Sequence, residues 1–169
     1  MGLFNKIFGS QKKTAADVFV AQIAELGNLL YEERSASNEA LFEVLLFSTV
    51  HVLNVYKMRY PASYSQFQKD YFIGLEKWAN EKGVYRKIKG SYSDFVNSRF
   101  ELYFGEFTSW LDNPHLIRTK TAFHFYEKPL EIKSGDCMDL FLIMRMTGAT
   151  TELINRIDSI IDEVATNYR

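Results

Sequence analysis

The chain has little that would staple, interrupt or charge it as a whole. One cysteine in 169 residues, Cys137, excludes an internal disulfide and any zinc site built on four cysteines. So little cysteine fits a reducing compartment, and a cytoplasmic location is the expectation. Three prolines and nine glycines leave few positions that break a helix. The formal net charge of −1 gives no overall field to hold double-stranded nucleic acid. Apolar runs are limited too. The uncharged stretch between Glu43 and Lys57 is 13 residues and includes His51 and Asn54, short of the roughly 18 to 20 that a bilayer requires, so no transmembrane segment is expected. The opening MGLFNKIFGSQKK lacks the apolar run of a signal peptide.

What is present in quantity is the aromatic ring: 14 Phe, 10 Tyr and 2 Trp make up 15% of the chain. A core built largely of rings follows, with large buried areas per residue. The length suits one domain, and the periodicity gives the expected architecture. It is an all-α bundle of six to seven helices around a central apolar helix at about 38–60, with residues 14–169 forming a single helical domain. Residues 1–13 read as a separate amphipathic segment, in which Leu3, Phe4, Ile7 and Phe8 share a helical face and could contact a membrane surface or a partner.

Taken in order, Thr14 and Asp17 form a capping box opening a helix to about Glu33, striped by Phe19, Ile23, Leu26 and Leu30. Ser37 is the expected N-cap of the central helix, with Glu39 in its first turn, and Pro61 limits that helix at Tyr60. Ser63 with Gln66 is expected to cap a third helix carrying Tyr64, Phe67, Tyr71, Leu75 and Trp78, which Gly83 closes. Ser91 with Asp94 caps a fourth helix to about Leu111, where Phe95, Phe100, Tyr103, Phe104, Phe107 and Trp110 crowd one side. Asn113 and Pro114 are the expected N-cap and first position of a further helix that ends before Pro129, with an extended conformation over residues 119–133 as the alternative. The segment DCMDLFLIMRM then forms a helix that kinks or stops at Gly148, and a last helix spans about 150–167.

Charge alternates along this order. Residues 14–43 carry one basic and six acidic side chains, whereas residues 57–90 carry eight basic and three acidic ones. Neighbouring helices of opposite sign attract, which is the expected use of the pattern.

No sequence signature of catalysis is present. None of the three histidines has a glutamate three residues before it, as a di-iron bundle needs, and neither a metal nor a cofactor is expected. The stretch GSQKKT lacks the glycine before lysine of a phosphate loop. Four polar residues of the central helix, Ser48, Thr49, His51 and Asn54, are expected to need partners inside the bundle.

Two surfaces and one interior locus remain as candidates. The loop KGVYRKIKGSY places Tyr85, Arg86, Lys87 and Lys89 just before a helix N-terminus, a suitable arrangement for an anion or an acidic partner. An aromatic pocket near His51 and Asn54, or near His124, would suit a small ligand or an enzyme. The anticipated function is a non-enzymatic protein-interaction or regulatory module with another protein as partner. The alternatives are a small-ligand-binding protein or enzyme, and a peripheral membrane protein held weakly through residues 1–13.

Overall fold

The computed structural model describes residues 14–30, 37–112 and 140–168, with the side chains of residues 30, 106–112, 140–147 and 150 left aside. It is all-helical, with five α-helices and no strand among the described residues: α1 (Ala15–Leu30), α2 (Asn38–Arg59), α3 (Tyr64–Glu81), α4 (Tyr92–Asp112) and α5 (Leu140–Ala165). A short 3-10 helix, Tyr85–Lys87, joins α3 to α4, and another, Thr166–Tyr168, follows α5.

Local chemistry sets the helix ends. The Thr14 hydroxyl accepts from the Asp17 N–H at 3.1 Å while the Asp17 carboxylate accepts from the Thr14 N–H at 3.0 Å, so the reciprocal box forms as read. Ser37 caps α2 by accepting from the Ala40 N–H at 3.2 Å. The expected cap at Ser63 does not form. Its hydroxyl pairs instead with the Tyr56 hydroxyl at 3.1 Å, and Gln66 donates to Asp70 at 2.9 Å, so tertiary and i,i+4 partners win over the cap.

The largest departure from the sequence reading lies in α5. Gly148 does not stop the helix; one 26-residue helix runs through it, where the sequence suggested a kink or a stop. A glycine costs about 1 kcal/mol in a helix interior, which the rest of a long amphipathic helix outweighs. The apolar stripe of Leu153, Ile157, Ile161 and Val164 supplies that excess by burying itself in the core.

α2 packs against α1, α3, α4 and α5. Fifteen of its 22 residues are buried, all round the helix rather than on one face, from Ala40 to Tyr56. Its 18-residue window, which tolerates one or two charges, is long and apolar enough to cross a membrane, and 78% of that window is buried inside the fold, as in a core helix. Rings fill the space around it. Tyr56 stacks on Phe67 at 3.7 Å between centroids, Phe42 lies near-parallel to Trp78 at 6.3 Å, and Phe47 meets Tyr103 edge-on at 5.7 Å. Gly27 lets α1 approach α2 closely, since a Cβ there would sit 3.0 Å from the Val44 side chain.

The aromatic stripe of α4 divides. Tyr103 is buried and Phe95 and Phe100 are half-buried, but Phe104 is 54% exposed. At 100° per residue it stands about 180° from Phe95, so both cannot face the same neighbour. Phe107 and Trp110 lie outside the described side chains, as do the segments 113–139 and 1–13.

Candidate functional site

The loop between α3 and α4 is ordered by its own backbone. The Gly83 N–H bonds to the Asn80 carbonyl at 3.1 Å and the Val84 N–H to the Ala79 carbonyl at 2.9 Å, with Gly83 at φ 74°, in the left-handed region where glycine is favoured. Val84 is fully buried and anchors the loop to the core. The Lys87 N–H to the Val84 carbonyl, 2.8 Å, closes the 3-10 turn, and Gly90, at φ 90°, redirects the chain into the Ser91 cap of α4. Asn38, at the start of α2, donates its side-chain amide to the Lys82 carbonyl at 3.2 Å. Tertiary bonds thus fix the shape before any partner arrives.

On this frame Lys82, Tyr85, Arg86, Lys87 and Lys89 are exposed. Tyr85 stacks on Tyr92 with centroids 5.0 Å apart and planes 18° from parallel. The Lys87 ammonium bonds to the Glu39 carboxylate of α2. That hydrogen bond, against burial, holds the Glu39 carboxyl below its ordinary value. All four residues read as an anion or partner surface therefore lie on one exposed, preorganised turn.

The same attraction of unlike segments recurs elsewhere. Lys77 of α3 meets Asp17 of α1 at 2.9 Å. Burial pushes the Asp17 carboxyl up, and Lys77 together with Thr14 outweighs it, leaving the group below its ordinary value.

The polar minority of α2 is distributed differently from expectation. Thr49 donates to the Leu45 carbonyl at 2.7 Å and pairs with the Tyr71 hydroxyl at 3.4 Å. His51 is buried, and its Nε2 lies 2.7 Å from an Asp158 carboxylate oxygen on α5. One turn further along α5, Asp162 accepts from Arg59 at 3.1 Å and, on the same oxygen, from Tyr60 at 2.8 Å, so a polar seam joins α2 to α5. Ser48 is buried with no partner for its hydroxyl among the described residues. Asn54 is the correction: it is exposed, so its amide is hydrated and needs no internal partner. His51 and Asn54 therefore do not share an interior pocket. His124, the third ligand candidate, and Leu3, Phe4, Ile7 and Phe8, the membrane candidates, fall outside the described residues.

A buried ionic cluster was missed in the sequence. Glu43, wholly inaccessible, accepts the Arg99 Nε at 2.9 and 3.2 Å on its two oxygens and also the Tyr103 hydroxyl. Arg99 is itself buried and lies over the Phe95 ring at 4.6 Å. The sequence carried a signal for it: Phe95, Arg99 and Tyr103 recur every four residues, placing a lone base on the buried stripe of α4.

A shallow groove of about 290 Å³ lies between α1 and the end of α5, lined by Thr14, Ala15, Val18, Gln22, Glu163, Val164 and Asn167. Among the described residues no group of three or more His, Cys, Asp or Glu side chains is placed to hold a metal ion. Comparison with known proteins yields no matching family model, no matching curated protein and no matching solved structure.

Proposed function

We propose that this chain is a helical protein-interaction module whose docking surface is the basic turn at residues 82–90. The observation that carries the reading is the combination of exposure and rigidity: basic side chains and Tyr85 stand in solvent on a turn held by Val84, Asn38 and two left-handed glycines. Preorganisation of this kind lowers the entropy lost on binding and so raises affinity without added area. The polar groups of the interior act among themselves, Glu43 with Arg99 and His51 with Asp158, as structural ties between helices. The same proposal includes a bundle of six to seven helices with α2 at its centre, a reading that the all-round burial of α2 supports.

The test is site-specific photocrosslinking in the producing cells, with p-benzoylphenylalanine in place of Tyr85 and, as a control, in place of Ser159 on the exposed face of α5. A discrete adduct at position 85 that is absent at 159, and that disappears when Arg86→Glu is added, is the expected outcome. Identical adducts at both positions, or none at 85, would refute the reading.

A further inference from the structure

We infer that the basic turn receives a short acidic polypeptide segment, and that Glu39 is an internal competitor occupying Lys87 until the segment displaces it. The inference rests on the docking surface proposed above and names the chemistry of its partner.

The structure already contains a carboxylate held by this turn. Glu39, in the first turn of α2, reaches the Lys87 ammonium, whose side chain is 62% exposed while the Glu39 side chain is only 13% exposed. The pair is therefore asymmetric. Glu39 is held in place by the fold, and Lys87 is open on its outer side to a second carboxylate. Beside it, Arg86 offers a planar fork suited to bidentate carboxylate recognition, and Lys82 adds a third exposed cation.

Local charge decides between a peptide and a nucleic acid. Glu76, Glu81 and Asp94 are exposed on the helices that flank the turn, and Glu39 lies beneath it. A polyanion with a phosphate on every unit extends beyond the turn onto these flanking helices and is repelled by their carboxylates. A segment with two or three carboxylates can engage the turn alone. Tyr85, its ring stacked on Tyr92, supplies apolar area and a hydroxyl next to the cations without further ordering.

Fluorescence anisotropy of the full chain with a labelled short peptide carrying three glutamates between glycine and serine residues, at physiological salt, tests this. Wild type binds the peptide, and added NaCl weakens the complex. Arg86→Glu lowers affinity by about five-fold, and Glu39→Gln, which frees Lys87 without changing shape, raises it by about two- to five-fold, the range set by one exposed ion pair. Equal affinity of Glu39→Gln and wild type overturns the competitor role. Tighter binding of a twenty-nucleotide single-stranded oligodeoxynucleotide, or no binding of the three-glutamate peptide, overturns the partner class. In either case the crosslink at position 85 reports separately on whether the turn is a docking surface at all. Circular dichroism melts of both variants confirm that the fold is retained.

Discussion

Replacing Arg99 by methionine is the sharpest test of how this core is held together. Methionine fills nearly the same volume without charge, so the perturbation is electrical rather than steric. It strips Glu43, which has no solvent contact, of the guanidinium that spans both its oxygens at 2.9 and 3.2 Å. A buried carboxylate that loses this guanidinium is pushed toward its protonated form. From an ordinary glutamate value near 4.3, neutralising it at about pH 7.5 costs roughly three units at 1.36 kcal/mol each, or about 4 kcal/mol. That sits within the range of about 3–5 kcal/mol for breaking a buried pair from one side.

Sign and pH window follow. In Arg99→Met the folded-state pKa of Glu43 is raised above its unfolded value, so the penalty is absent below about pH 4 and grows as pH rises. Urea melts followed by circular dichroism should show the variant about 3–5 kcal/mol less stable than wild type near pH 7.5, with the gap shrinking by about 2–3 kcal/mol near pH 5.5. The companion Glu43→Leu/Arg99→Met removes both charges and should recover most of the loss, because a well-packed apolar replacement of a buried ion pair is often neutral or stabilising. A single-variant loss below about 1 kcal/mol, independent of pH, would mean that Glu43 is hydrated in solution and that this account of the core is wrong.

Two other perturbations address the fold more broadly. Gly148→Ala should raise stability by about 0.5–1 kcal/mol in thermal melts, because the position lies inside a continuous helix and, among the described residues, nothing stands within 4 Å of the added Cβ; a loss of stability would place a break in α5 there. Alkaline unfolding is also expected. Burial pushes the phenols of Tyr71, Tyr92 and Tyr168 above their ordinary value, with Glu76 and Tyr85 adding to the shift at Tyr92 and Asp70 to that at Tyr168. Raised groups contribute stability that is complete below about pH 10 and is lost as pH rises beyond it. The melting temperature should therefore fall steeply above about pH 10, with the ultraviolet signature of these three tyrosinates appearing only as the chain unfolds; their ionisation in the folded state would contradict it.

Short-range chemistry was legible in the sequence wherever the partner lay within one turn. Thr14 with Asp17, Ser37 ahead of Ala40, and the limit of α2 at Pro61 are all settled by neighbouring backbone, and each is where the residues placed it. The exposure of Tyr85, Arg86, Lys87 and Lys89 was equally readable, since three cations and one ring crowd into the six residues between Gly83 and Gly90, where only Val84 and Ile88 are apolar enough to turn inward. Ser63 was not, because its choice between capping α3 and pairing with Tyr56 depends on where α2 ends up beside it. Gly148 misled for a related reason: its cost is local, while the stripe that outweighs it is repaid only by burial against other helices.

The amino-acid order by itself determined the helical class, the ring-built core and an apolar helix at about 38–60, because periodicity and capping are properties of adjacent residues. Only the tertiary structure decided which polar groups on that stretch find partners inside the fold. Glu43 with Arg99 and Tyr103, His51 with Asp158, and Asn54 in solvent differ by where helices far apart in sequence come to rest. The energy of a buried charge depends on that neighbour more than on the residue that carries it.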